Sequence, residues 1–296
     1  MTVVVPYQGC AESFDDTLAS VLQHRPGDCE VVVTHDGGYQ DPYALHDEVR
    51  FIVADSDDWM DQLRAGAKAA RGRFVHILSD GCRATENWIH AALGVFEDGD
   101  IAFASPVVCC PRDRHPIHTG WASGVGTACE PKRMTTSYAG DRIAGVFLDA
   151  SFWRRDVLRT TLRSFGGTDA LEGSLVVSQT ITSAGGKMGI AEDSRVLSGV
   201  SESQLYQRTH ANQRHTQALI DHFHGGGWVA SLIRGMNSVF TGHLNVAFQR
   251  ATAPLAYRWA DQVIAAVETP QTDCPATTLD AKTRLHAAKT TVRRAA

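Results

Sequence analysis

The sequence predicts an α/β fold: a mostly parallel, Rossmann-like sheet with helices on both faces, plus a C-terminal helical extension. Three observations predict it. Short runs rich in β-branched and aromatic residues alternate with amphipathic helical stretches over the first hundred residues. The strand-like runs are apolar throughout, as strands covered on both faces are. Several of them end in turn chemistry, Asp36-Gly37-Gly38 after one and Ser79-Asp80-Gly81 after another.

Val3-Val4-Val5 opens the chain as a strand. Ser13 to His24 follows as a helix, with Phe14, Leu18, Val21 and Leu22 on one face. Ser13 is its expected cap, and Asp15 and Asp16 complement the dipole in the first turn. Pro26-Gly27 stops it. Glu30 to Thr34, Arg50 to Val53, Phe74 to Leu78 and Ile101 to Val108 are the next strands, separated where space allows by helices over Trp59 to Ala70 and Asn87 to Phe96. Residues 109 to 142 lack a period and read as a long irregular insertion. Beyond it come a strand over Ala144 to Leu148, helices over Arg154 to Leu162 and Leu171 to Ala184, and a short strand over Lys187 to Ile190.

The chain changes character near residue 201, giving a domain over 1–200 and an extension over 201–296. Gln204 to Phe223 looks helical, Gly225-Gly226-Gly227 is a hinge, and Trp228 to Phe248 reads as a docking or membrane-interfacial helix. Packing of that helix on the domain or on a second copy is the simpler reading. The last sixteen residues hold five basic and no acidic side chains, as a frayed tail does.

Composition narrows the function. The chain has 296 residues, 43% of them hydrophobic and 21% charged, enough to bury a core. A net charge of −5 argues against a nucleic-acid binder, which needs a basic footprint. No run of about 18 apolar residues predicts a membrane span. The opening Met1-Thr2-Val3-Val4-Val5-Pro6 lacks the basic start of a secretory signal. Seven cysteines, an odd number without a Cys-x-x-Cys pair, predict reduced thiols and a cytoplasmic location. His115 and His118, and His222 and His224, lie close in sequence, but neither pair has a partner at a recognised metal-site spacing. There is no P-loop and no Gly-x-Gly-x-x-Gly.

In parallel α/β sheets ligands gather outside the carboxyl ends of the strands. The residues there that carry chemistry are Asp36, Asp80, and, after the Gly166-Gly167 break, Asp169 and Glu172. Each also has a bland role. Asp-Gly and Ser-Asp-Gly are ordinary turn formers, and Glu172 suits the first turn of a helix.

Their order along the chain is informative. The blocks Val3-Val-Val-Pro-Tyr-Gln8, Leu18-Ala-Ser-Val-Leu-Gln23 and Glu30-Val-Val-Val-Thr-His-Asp-Gly-Gly38 resemble the family 2 glycosyltransferases of GT-A fold. Ala69 to Gly81, Asn87-Trp88, Trp153 to Leu158, Phe165 to Asp169 and Ala184 to Lys187 continue the resemblance over roughly residues 2 to 195. It implies transfer of a sugar from a nucleotide-diphosphate donor to the hydroxyl of an acceptor, itself unspecified among glycans, lipids and proteins. It also implies that Asp36 contacts the nucleobase, that Pro6 and Tyr7 line the nucleoside pocket, and that Glu172 is the general base of an inverting displacement. A divalent cation, manganese or magnesium, is the implied cofactor on the donor diphosphate.

One block departs from the family pattern. Ser79-Asp80-Gly81 stands where the family carries Asp-x-Asp, so Asp80 is the one acid left to bind the diphosphate or its metal. The usual Glu-Asp pair is here Glu172-Gly173. The first sixty residues carry twelve acids against two Arg and no Lys, so Arg64, Arg71, Arg73 and Arg83 are the nearby candidates to offset a diphosphate. Trp121 and Tyr138 in the insertion are candidate platforms for a sugar face. The expected function is an inverting glycosyltransferase. The alternative is a GT-A-like domain that has lost catalysis and serves as a nucleotide-sugar-binding or scaffolding module.

Overall fold

A computed structural model describes residues 1–122, 132, 133, 135, 143–164, 170–198, 218 and 219. The chain runs β1 (Thr2–Pro6), α1 (Ala11–His24), β2 (Glu30–His35), β3 (Val49–Val53), α2 (Trp59–Ala69), β4 (Phe74–Leu78), β5 (Cys82–Ala84), α3 (Trp88–Val95) and β6 (Ile101–Cys109). It continues through β7 (Pro116–His118), β8 (Trp121–Ala122), β9 (Lys132–Arg133), β10 (Ile143–Gly145), β11 (Ala150–Arg154), α4 (Arg155–Ser164), α5 (Ala170–Ser183) and β12 (Lys187–Ser198).

The main sheet is ordered β3-β2-β1-β4-β11-β6-β12-β5, with β7 paired to β6. Its first four strands are parallel, so their carboxyl ends form one edge. β11 enters antiparallel, with Ala150 opposite Leu78, and so begins at that same edge. A smaller sheet, β10-β8-β9, comes from the insertion.

Alternation along β1 explains the layers. Val3 and Val5 pack with Phe14, Leu18 and Val21 of α1 and Trp88 and Ile89 of α3. Val4 points the other way, to Met60 and Leu63 of α2, Leu158 and Leu162 of α4, and Val176 and Val177 of α5. Ala218 and Leu219 are helical and buried in that second cluster. The remainder of the extension over 201–296, including the segment 228–248, lies outside the described residues, as does Tyr138. Among the described residues no helix is long and apolar enough to cross a membrane.

The sequence misplaces three elements. The strand expected over Ala144 to Leu148 is present only in part, as β10 over Ile143–Gly145 in the small sheet, and the strand that enters the main sheet here is β11. Val146, Phe147 and Leu148 are apolar and buried, but their backbone is held by the next helix: Ser178 Oγ accepts from Val146 N at 3.2 Å and Ser174 Oγ from Leu148 N at 3.0 Å. β12 spans 12 residues instead of four, because it pairs in turn with β6 and β5. Ser13 does not cap α1. The helix begins at Ala11, and the Ser13 hydroxyl donates to the Cys10 carbonyl at 3.3 Å.

Candidate active site at the carboxyl edge of the sheet

The strand order β2-β1-β4 sets four expected residues along one edge. Asp36 follows β2, Pro6 and Tyr7 close β1, and Asp80 follows β4. Pro6 is buried at the strand end, opposite Thr34. Tyr7 N donates to the Thr34 carbonyl at 2.8 Å, and the Tyr7 carbonyl accepts from Gln62 Nε2 at 2.9 Å. The Tyr7 ring meets Phe14 at 5.1 Å and Tyr39 at 5.0 Å between centroids, and Tyr39 stacks on Phe51 at 5.6 Å. This aromatic wall is fit to line a planar base.

Asp36 is exposed on a tight turn. Its Oδ1 accepts from Gly38 N at 2.8 Å, and Gly37 takes a φ of +100°, a conformation glycine adopts at little cost. His35 supports the same turn: Nδ1 accepts from Gly37 N at 3.0 Å, and burial holds the imidazole below its usual pKa.

Asp80 sits where β4 bends into β5. Burial pushes its pKa up to about 6, against the Gln8 backbone N–H and the Ser13 hydroxyl, which favour the carboxylate. Ser79, at the first position of the expected motif, is 1% exposed.

Glu172 reaches this edge by a longer route. It lies in the first turn of α5, 4% exposed. Gly173 beside it packs on the first turn of α2, where a Cβ would come within 2.8 Å of the Met60 sulfur. That turn of α2 is itself at the carboxyl edge, capped by Asp58, whose carboxylate accepts from Met60 N at 2.8 Å. Ser174 ties α5 to Leu148, and Asp149 next to it accepts from Ser79 N at 2.8 Å. Asp36, Asp80 and the first turn of α5 that carries Glu172 thus lie at one edge of the sheet, on three separate elements. Asp169 lies outside the described residues.

Sequence reasoning passes over four residues here. Tyr39 carries a buried hydroxyl with no hydrogen-bond partner among the described residues, and burial pushes its pKa up to about 12. Gln62, 1% exposed in an amphipathic helix, props the Tyr7 loop. His35 braces the Asp36 turn. Asp149, 5% exposed, lies with Asp80 near the fully buried Cys82, whose thiol pKa rises chiefly through burial and then through the Asp149 and Asp80 charges. Only Asp149 had a signal, an acid inside the apolar run Val146 to Phe152.

Other expectations change. Trp121 is 2% exposed, donates from Nε1 to the Val146 carbonyl at 3.2 Å, and packs with Phe147, Leu171 and Leu175. It is a core residue of the insertion and not a platform for sugar. Arg71 and Arg73 belong to the opposite edge: Arg71 N donates to Glu30 at 2.9 Å, and Arg73 lies over the Phe74 ring at the start of β4. Arg64 is engaged by Asp61 within α2. Arg83, on β5 just after the Asp80 turn, is paired with Asp16 at 3.7 Å.

A divalent cation at this corner would find oxygen ligands of the right hardness in Asp80 and in donor phosphates. Magnesium-type ions are commonly held by one or two carboxylates plus substrate phosphates. Among the described residues, the one group of three clustered metal-ligating side chains lies elsewhere, in the turn between β6 and β7.

Known proteins share this architecture. The solved structure of S. aureus TarS 1-349 in complex with UDP-GlcNAc aligns with a TM-score of 0.55 at 12% identity, covering 90% of this chain and 70% of that one. TarS 1-349 without ligand gives 0.54 at 12% identity, covering 93% and 94%. GalNAc-T7 with UDP, GalNAc and Mn2+ gives 0.51 at 15% identity over 73% of this chain, which spans 47% of the length of that one. At such identities the likeness establishes the GT-A fold. No curated protein matches the chain by sequence. The profile described as glycosyl transferase family 2 matches residues 2–160, more than half the chain, and the chain therefore belongs to that glycosyltransferase family.

Proposed function

We propose that the chain is an inverting glycosyltransferase that moves a sugar from a uridine-diphosphate donor to an acceptor hydroxyl. What supports this reading is that the elements bearing Asp36, Asp80 and Glu172 all present those positions at one sheet edge. UDP or a UDP-sugar occupies two of the GT-A neighbours, which supports a donor of that class.

In this reading the base lies along Tyr7 and Tyr39, and Asp36 accepts from its ring N–H. Only one Asp36 oxygen is committed to the turn, to Gly38, so the other can read the base. Asp80 stands at the diphosphate. A manganese or magnesium ion there would stabilise the charge developing on the departing diphosphate. Glu172 receives the acceptor hydroxyl proton as that oxygen bonds to the anomeric carbon and the bond to the diphosphate breaks. One in-line displacement inverts the configuration.

The second reading, a domain that binds nucleotide-sugar without turning it over, is favoured by one observation: Ser79 and Gly81 flank Asp80 where the family carries carboxylates. Calorimetry with UDP-sugars separates the two, run beside an assay of UDP release. Binding with UDP release supports transfer. Binding without release, for every donor and acceptor class offered, supports the module. Absence of binding removes both.

A further inference from the structure

One histidine of a pair with no recognised metal spacing in the sequence, His115, gains partners in the fold. β6 and β7 form a hairpin that extends past their last ladder pair, Cys109 opposite Pro116. Cys110 N donates to the His115 carbonyl at 2.9 Å, so these two residues close the hairpin face to face. Directly opposed residues in an antiparallel pair send their side chains to the same face, about 5 Å apart.

The turn between them brings in a third group. Arg114 N donates to the Cys110 carbonyl at 3.0 Å, and Arg114 takes a φ of +60°. This folds Asp113 back over the pair. Its Oδ1 lies 2.5 Å from His115 Nδ1 and accepts from His115 N at 3.4 Å. The Cys110 sulfur, the Asp113 carboxylate and a His115 ring nitrogen all lie within 4.8 Å of one another. Cys110 is half-buried, and Asp113 and His115 are exposed, so an ion has an open path.

We propose that Cys110, Asp113 and His115 form a zinc-class metal site, separate from the donor corner, with its fourth position open to solvent. One sulfur, one imidazole nitrogen and one carboxylate oxygen are a zinc ligand set. A thiolate and an imidazole are poor partners for magnesium or calcium. The hydrogen bonds to His115 and Cys110 hold the Asp113 carboxyl below its ordinary pKa. The metal displaces the thiol proton of Cys110 to solvent and replaces the hydrogen bonds now made within the cluster, so affinity rises with pH. The hairpin projects from the end of β6 that lies toward the carboxyl edge. An ion there would lock its turn without touching the donor residues.

Cobalt titration of the full chain tests the site, because cobalt(II) bound to a thiolate shows a charge-transfer band in the near ultraviolet. The expected result is a band saturating at one equivalent, displaced by zinc and unaffected by magnesium. Cys110→Ser abolishes it, and His115→Ala weakens cobalt binding by about tenfold or more, with unchanged far-ultraviolet circular dichroism in both. The band survives in a Cys10→Ser, Cys129→Ser, Cys274→Ser triple variant. No band in the wild-type chain, a band that persists in Cys110→Ser, or a band lost in the triple variant overturns the proposal.

Discussion

The backbone N–H of Ser79 donates to the carbonyl oxygen of Asp149 across 2.8 Å. This bond joins the exit of β4 to the entry of β11, two segments seventy residues apart. Leu148, one residue before Asp149, is held by Ser174 of α5. The corner bearing Asp80 and the helix bearing Glu172 are thereby fastened to one short turn.

If Glu172 takes the acceptor proton, removing its charge should stop chemistry and spare donor binding. Glu172→Gln is expected to lower kcat by about a hundred- to ten-thousand-fold, with the calorimetric affinity for UDP changed less than about threefold. Asp36→Ala is expected to do the reverse, weakening UDP by about tenfold or more, the loss of one charge-assisted hydrogen bond. Equal effects of both variants on affinity would remove the division of roles.

A cation at the diphosphate makes turnover depend on metal. EDTA is expected to abolish UDP release, and added manganese to restore it. Asp80→Asn should raise the manganese concentration for half-maximal rate by about tenfold or more. Turnover untouched by EDTA would leave Asp80 without a ligand role.

Gly66 tests packing against propensity. In a helix interior, Gly to Ala alone gains about 1 kcal/mol. Here a Cβ would lie 2.4 Å from Val4 Cγ1 and 3.2 Å from Thr34 Cγ2, two core atoms of the sheet. Overpacking costs about 1–3 kcal/mol, so it should win. Gly66→Ala is expected to lower the urea midpoint; a raised midpoint would mean that α2 shifts freely on the sheet.

His76 predicts acid sensitivity. It is fully buried on β4, stacked on Phe152 at 3.9 Å, with Nδ1 donating to the Ser151 carbonyl at 3.0 Å. Burial lowers its pKa to about 3. The unfolded chain therefore binds a proton here that the folded chain refuses. This contribution is full above pH 6.5 and is lost as pH falls toward 3, on the order of 4 kcal/mol over the interval. Denaturant titrations at several pH values should show His76→Phe with a flatter loss of stability than wild type between pH 6.5 and 3. Parallel curves would assign acid lability to other groups.

Local pattern determined much of this protein. The runs Val3 to Val5, Glu30 to Thr34 and Phe74 to Leu78, with the helices between them, depend on side-chain period and turn residues a few positions apart, and the sequence contains both. Asp36 and Asp80 could be placed at the carboxyl edge because a parallel strand delivers whatever follows it there. Tertiary structure decided the rest. The apolar run Val146 to Leu148 reads as a strand, yet serines on α5 capture its backbone and the ladder passes to Ala150–Arg154. Trp121 looks like a loop aromatic until Phe147, Leu171 and Leu175 enclose it. His115 has no visible metal partner until a left-handed residue at Arg114 folds Asp113 onto it and hairpin pairing brings Cys110 alongside. In each case the deciding contact joins groups whose meeting depends on a backbone path, and hydrophobic period records only which face of an element is buried.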